Sequence, residues 1–264
     1  MWHTFAKPVV GTSEGPTQGV PNGETAIDRD KRLIDAVGKG NAQEVQKALD
    51  GGADIDATDE LYEETALHLA ARLGHAEVVD ILVHNGASLK ICDNDGWTPL
   101  ISACSGDSTR IVQLLLAQLP DNSVEKTDYV NFSDTAGPTA LTIACQSSTA
   151  DLVLLLLEAK ADVNTKNDDG DTPLVLAVRR GDATILGNIL RYKPNINQIC
   201  ASGATALHEA ILIENDEDRE RILGLLLDQS DIRLSIQDSW MQTPLHLAIE
   251  KGRLDVIKKL LALG

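Results

Sequence analysis

The chain has 264 residues, of which 43% are hydrophobic, 24% charged and 3% aromatic, with a formal net charge of −17. That acidity argues against nucleic acid and anionic membranes as partners, because both require a basic patch to neutralise phosphate. It fits either a basic partner or plain solubility. No apolar run approaches the ~18 residues of a membrane span, and the first ten residues lack the basic-then-apolar order of a signal peptide.

In chain order, residues 1–28 are rich in Gly, Pro, Ser and Thr without helical periodicity and read as a flexible tail. Beyond them one pattern recurs. A degenerate copy, Leu33-Ile34-Asp35-Ala36, precedes Thr65-Ala66-Leu67-His68-Leu69-Ala70-Ala71. The pattern returns at Thr98-Pro99-Leu100-Ile101-Ser102-Ala103-Cys104, at Thr139-Ala140-Leu141-Thr142-Ile143-Ala144-Cys145 and at Thr172-Pro173-Leu174-Val175-Leu176-Ala177-Val178. The last copies are Thr205-Ala206-Leu207-His208-Glu209-Ala210-Ile211 and Thr243-Pro244-Leu245-His246-Leu247-Ala248-Ile249. A second apolar segment follows each, for instance Glu77 to Val83, Ile111 to Leu116 and Asp151 to Leu157. Turns such as Gly52-Ala53-Asp54 close most copies.

Each residue type has a reason to be there. The Thr can accept an orphan N–H at a helix start, and Pro99, Pro173 and Pro244 suit the first helical position. His68, His208 and His246, three residues on, are placed to bond back as in a capping box. The recurring Ala lets helices approach closely. Asp95-Gly96 and Asp169-Gly170 mark turns before the helix, and Gly137 and Gly203 stand at equivalent places.

The threonine-led motif, its second helix and its terminal turn resemble the ankyrin repeat, whose period is about 33 residues. The resemblance implies an all-α solenoid of stacked helix-turn-helix units joined by β-hairpin-like loops. Its seven repeats fall near 29–58, 59–91, 92–131, 132–164, 165–197, 198–235 and 236–264. Two repeats are stretched: Leu119 to Phe132 adds a segment that reads as loop, and Glu214 to Glu220 reads as an acidic insertion between two helices. Lys47 and Lys259 replace an apolar second-helix position in the first and last repeats, which suggests polar end caps. Gly264 ends the sequence before a final turn, which leaves open a longer parent chain.

Nucleotide, nucleophile-elbow and zinc-protease motifs are missing from the sequence. His68, His208 and His246 have a role in the repeat, and they recur one per copy, too far apart to converge on one substrate. Cys92, Cys104, Cys145 and Cys200 form no C-x-x-C pair and read as buried thiols of a reducing compartment. The sequon at Asn131 is then expected to stay unmodified. The reading is a non-enzymatic chain with no cofactor and no metal.

Function therefore rests on a partner protein. In the family this chain resembles, contacts come from the loop before the Thr and the exposed side of the first helix, on a concave face. Carried over by position, these residues are Leu61, Tyr62, Glu64, Arg72 and Leu73; then Asn94, Asp95, Trp97, Ser105 and Gly106; then Thr135, Ala136, Pro138, Gln146 and Ser147. Further along they are Asp168, Asp169, Asp171, Arg179 and Arg180; then Ala201, Ser202, Ala204, Leu212 and Ile213; and last Ser239, Trp240, Gln242, Glu250 and Lys251. Tyr62, Trp97 and Trp240 stand out as aromatic anchors, against packing on their own loops. The Asp168, Asp169 and Asp171 cluster beside Arg179 and Arg180 reads as a solvated face of weak ion pairs, with recognition of a basic ligand as the competing reading. The expected protein is a monomeric, cytoplasmic scaffold or adaptor, a nucleus or a host cytosol being alternative compartments. Competing readings are an acidic inhibitor or chaperone that masks a basic partner, and the recognition arm of a larger protein.

Overall fold

The computed structural model describes residues 25–121, 123–133 and 137–263. Thr135 and Ala136, two of the expected contact residues, lie outside the described residues, as does most of the expected tail. Fifteen helices are present among the described residues, in chain order α1 to α15. Each repeat supplies two antiparallel helices. The first helices are α1 (Ala26–Gly38), α3 (Ala66–Arg72), α5 (Pro99–Ser105), α8 (Ala140–Ser147), α10 (Pro173–Arg180), α12 (Ala206–Leu212) and α14 (Pro244–Glu250). Their partners are α2 (Ala42–Asp50), α4 (Ala76–His84), α6 (Thr109–Ala117), α9 (Ala150–Glu158), α11 (Ala183–Leu190), α13 (Asp216–Leu227) and α15 (Leu254–Leu263). First helices pack on first helices down the whole stack, and second helices on second from α2 to α13.

The repeated Thr sets each first helix. Thr65, Thr98, Thr139, Thr172 and Thr243 are extended N-caps whose hydroxyl accepts the N–H three residues on. Pro99, Pro173 and Pro244 stand at the helix start, where a missing N–H has no cost. The Leu two residues after the Thr and the Ala five after it form the shared core, with Ala70, Ala103, Ala144, Ala177, Ala210 and Ala248 all fully buried. Truncating an internal leucine such as Leu141 removes contacts with two neighbouring repeats at once, a loss of about 2–5 kcal/mol.

A polar ladder on the opposite side was not legible in the sequence. Asp56 Oδ1 accepts Ser88 N–H at 2.9 Å, Asn131 Oδ1 accepts Asp162 N–H at 2.6 Å, Asn164 Oδ1 accepts Asn195 N–H at 2.7 Å, and Asn197 Oδ1 accepts Arg233 N–H at 2.8 Å. One Asx side chain per turn thus ties the first repeat to the second, and the third through the sixth in succession. Asn131 belongs to the sequon, so its amide is spent in this ladder.

Several expectations change. Residues 26–28 are not tail: α1 begins at Ala26, because Thr25 and Asp28 close a reciprocal capping box. The long segment after Leu119 is not all loop. Ser123 caps an additional helix, α7 (Val124–Val130), which buries Tyr129 and Val130. The acidic insertion is mostly helical as well. Asn215 accepts the N–H groups of Glu217 and Asp218, and α13 starts at Asp216 with three acids in its first turn, where the helix dipole favours them. Arg219 is buried beneath them, paired with Asp216 at 2.7 Å. Cys104, Cys145 and Cys200 are buried thiols as expected, but Cys92 is only half-buried. Lys259 does not cap the far end, since it turns back to Glu220 of the preceding repeat at 3.1 Å.

Candidate protein-binding face

Between one repeat's turn and the next repeat's Thr, the chain makes a tight finger. Its base closes with a backbone bond, as in a hairpin: Asp59 N–H to Glu64 C=O, Asp93 to Trp97, Asn167 to Asp171, Cys200 to Ala204 and Asp238 to Gln242. Strand structure among the described residues is limited to an isolated bridge between Thr58 and Thr65. Inside the finger one Asx oxygen holds two amides. Asp93 Oδ1 accepts Asp95 and Trp97 N–H at 3.0 and 2.8 Å, and Asp238 Oδ1 accepts Trp240 and Gln242 N–H, both at 2.9 Å. Asp59 and Asn167 do the same. These residues were missed in the sequence, although an Asp or Asn five or six residues before the Thr is the signal that marks them.

The fingers are coupled. Asn94 N–H donates to Tyr62 C=O at 3.0 Å, and Ser239 N–H to Ser202 C=O at 3.0 Å. The histidines add a second tie. His68 Nδ1 accepts Thr65 N–H at 3.2 Å, so Nε2 carries the proton and donates to Trp97 C=O of the next repeat at 3.0 Å. His208 repeats this arrangement, reaching Gln242 C=O at 3.1 Å. Burial lowers the pKa of His68, against a weaker opposing pull from the Trp97 carbonyl, Asp93 and Glu64. The His68 imidazole is a neutral brace.

The residues before the Thr and seven after it pair with each other. Arg72 Nε and Nη2 donate to Glu64 Oε1 and Oε2 at 2.9 and 2.7 Å. Gln242 Nε2 donates to Glu250 Oε2 at 2.7 Å. Arg179 binds Asp171 and also reaches Glu209 of the next repeat at 2.8 Å. The expected solvated acidic face therefore divides. Asp168 and Asp169 are exposed, but Asp171 is buried under the Arg179 bridge, and desolvation raises its pKa despite that cation. Arg180 is spent on Ser148 C=O of the preceding repeat at 2.6 Å. Asp171, Glu64, Arg72 and Arg179 are thus internal fasteners of the face.

What the fingers leave in solvent is apolar at two places. Leu61 and Tyr62 are 78% and 56% exposed at the second repeat, and Trp240 and Met241 are 72% and 69% exposed at the seventh. Trp97 differs from the expectation of an exposed anchor: it is half-buried and packs on the core, because it stands directly before its Thr, a place that is also buried at Glu64, Asp171 and Ala204. Asn94 is exposed, but its side chain is tied to Leu61 C=O at 3.2 Å, while Asp95 points its carboxylate to solvent. Gly96, Gly170 and Gly203 take positive φ at the finger bend, and Met241 takes it at 63° without being glycine. Ser105, Gly106, Gln146, Ser147, Ala201, Leu212, Ser239, Glu250 and Lys251 lie exposed along the same side, with Leu73; Pro138, Ser202 and Ile213 are half-buried and Ala204 is buried.

Groups of reactive character are placed elsewhere. Cys104 and Cys145 lie in the core, where desolvation pushes both thiols far up, away from nucleophilic thiolate. No cluster of His, Cys, Asp and Glu suited to a metal occurs among the described residues. No helix among them is long and apolar enough to cross a membrane. An open groove of about 660 Å³ lies at α7, floored by Leu116 and Leu155 and rimmed by Lys126 and Glu158.

Comparison with known proteins gives the same architecture. The family model for ankyrin repeats matches in three copies, over residues 33–128, 125–199 and 175–264. The chain is 31% identical over 220 residues to transient receptor potential cation channel subfamily A member 1 of Homo sapiens, covering 81% of this chain and 19% of the channel subunit. It is 29% identical over 238 residues to the B-cell lymphoma 3 protein homolog of Mus musculus, covering 88% of this chain and 50% of that protein. The putative ankyrin repeat protein YahD of Escherichia coli (strain K12) is 27% identical over 197 residues, which cover 74% of this chain and 94% of YahD. The crystal structure of the Bcl-3 ankyrin repeat domain superposes with a TM-score of 0.69 at 28% identity, covering 90% of this chain and 100% of that domain. The chain spans half or less of the first of these curated relatives. With its threonine caps, histidine braces and paired helices repeated down the stack, the chain belongs to the ankyrin-repeat family.

Proposed function

We propose that this chain is a protein-interaction module that holds a partner on its finger side, acting as a scaffold or adaptor. The observation that carries this reading is the exposure of Tyr62 and Trp240 on fingers whose bends are held by Asp59 and Asp238. Large rings on a rigid base give a partner apolar contact without an ordering cost. Ankyrin repeats are a generic protein-binding architecture, which supports the class of function. The test is retention of partners from cell extract by the wild type and by Tyr62→Ala/Trp240→Ala. A species retained by the wild type and lost from the variant, at unchanged helical circular dichroism, supports the reading. Equal retention by both removes the two rings from the binding surface.

The second reading is an acidic mask for a basic partner. Asp95, Asp168 and Asp169, exposed on the fingers between the two aromatic ones, favour it together with the net charge of −17. It predicts a complex that weakens steeply as salt rises. Service as the recognition arm of a larger protein is compatible with both, and the 19% share of the channel subunit covered by the match is its support.

A further inference from the structure

The bend of each finger lies two residues before its Thr and takes positive φ. Gly96, Gly170 and Gly203 meet it at 76°, 73° and 75°. Two fingers meet it without glycine, through Glu63 at 53° and Met241 at 63°. These are the two fingers that expose a large ring, Tyr62 and Trp240, and in both the strained residue directly follows the ring. Backbone strain kept beside the rings, and relieved by glycine in the other three fingers, marks side chains that are used in solvent.

The two side chains differ in chemistry. Glu63 is inert to peroxide, whereas Met241 carries a thioether and is 69% exposed. The chain has two methionines, and Met1 lies outside the described residues. Sulfur elsewhere is less open. Cys104, Cys145 and Cys200 are buried, and Cys92 is half-buried with its S–H directed to Lys90 C=O at 3.8 Å. A thioether reacts without losing a proton, unlike a thiol, whose nucleophile is the thiolate. An oxygen added at Met241 also lacks a donor close by in sequence, because Gln242 Nε2 and Lys251 Nζ are both turned to Glu250, at 2.7 and 3.0 Å.

We propose that Met241 is an oxidative modification site, which hydrogen peroxide converts to the sulfoxide in the folded chain, and that the change loosens the hold of the seventh finger on its partner. The sulfur lone pair attacks one peroxide oxygen, and an S–O bond forms as the O–O bond breaks. The proton on the transferred oxygen passes to the departing hydroxide, giving water. Sulfur is oxidised by two electrons and the peroxide is reduced. The product exchanges a soft apolar tip for a strong hydrogen-bond acceptor. A partner seated on Trp240 then buries that acceptor unpaired, which weakens the contact. The effect on binding rests on the fingertip reading, whereas the site itself rests on exposure and strain.

The test treats the folded chain with hydrogen peroxide and follows oxidation of Met241 by peptide mass, beside N-acetylmethionine amide in the same solution. Met241 reacts within about fivefold of the free compound. The oxidised wild type retains its partner from cell extract about fivefold less than the untreated chain, or worse. Met241→Leu, whatever its own starting level, loses no further retention through the same treatment. Methionine sulfoxide reductases for both epimers restore the wild type. Oxidation of Met241 slower than that fivefold limit overturns the site. Equal retention by oxidised and untreated wild type overturns the effect on binding. So does an equal loss from Met241→Leu, which places the effect at another group such as Cys92. If Tyr62→Ala/Trp240→Ala retains the partner as well as the wild type, the fingertip reading and the effect on binding fall together, and the rate at Met241 alone decides the site.

Discussion

Glu64 and Arg72, eight residues apart and at opposite ends of α3, are locked by two parallel hydrogen bonds of 2.9 and 2.7 Å. The carboxylate is nearly buried while the guanidinium is 40% exposed, so water screens the pair only from one side. Arg72→Ala leaves a desolvated carboxylate and is expected to cost about 1–2 kcal/mol, above an exposed bridge but below a fully buried one. Glu64→Gln/Arg72→Ala restores part of that loss. Urea denaturation of the two singles and the double gives the coupling, and a coupling of zero means the pair only decorates the finger.

Arg179 carries a heavier duty because it spans two repeats, from Asp171 to Glu209. Asp171 is 3% exposed on its side chain and keeps one oxygen without a partner, so the arginine is its main compensation. Arg179→Ala should cost about 2–3 kcal/mol after allowance for the half-exposed guanidinium. Arg179→Lys should recover less than half, since one ammonium does not serve two carboxylates in the geometry of the fork. The measurement is again denaturant stability, with Asp168→Ala as the exposed control that changes little.

Much of this architecture could be read from the residues. Six copies of a threonine-led motif and one degenerate copy define the pairing of helices, because each cap, Pro and small Ala has one local reason that agrees with the period. The face was less legible. Contact positions inherited by register told where the fingers are, but not which residues are already spent. Glu64 with Arg72 and Asp171 with Arg179 meet only after one helical segment has brought positions eight apart together. Trp97 and Trp240 stand one and three residues before their Thr, and only the fold shows that the first place is covered, as it is for Glu64 and Asp171, while the second stands in solvent. The segments with α7 and the start of α13 looked like loops because their turn-forming residues, Ser123 and Asn215, are equally good helix caps.

Acid sensitivity should trace to the His68 brace. Burial lowers the pKa of His68 in the folded chain, whereas the unfolded chain titrates near 6.5. Below that value the unfolded state binds the extra proton, so stability is fully present above pH ~6.5 and declines as pH falls toward the folded pKa. The slope for one such group is at most about 1.4 kcal/mol per pH unit. His68→Gln should flatten the decline between pH 6.5 and 5 while lowering stability at pH 7, through loss of the bond to Trp97 C=O. Asp93, facing the ring, has its own pKa raised by burial, and holding its proton more tightly when folded it acts in the opposite sense, in the window above the ordinary carboxylate range near pH 4. A chevron of stability against pH that is identical for wild type and His68→Gln would remove the histidine from this account.

Met241 sits at φ 63°, where Gly203 and Gly170 occupy the equivalent bends at 75° and 73°. A side chain there costs about 1–2 kcal/mol of backbone strain, and glycine gives back part of that through its freer unfolded chain. Met241→Gly should therefore raise stability by about 0.5–1 kcal/mol. The reverse exchange at Gly203 has a second obstacle, because an added Cβ would stand 2.7 Å from Ser239 N. Strain of this kind persists where the side chain contributes something else, and Met241 is 69% exposed beside Trp240. If the pair is the anchor that the fingertip reading requires, Met241→Gly stabilises the fold and weakens partner retention together, whereas Trp240→Ala weakens retention at constant stability. A glycine variant that is more stable and binds equally well would assign the contact to the indole alone.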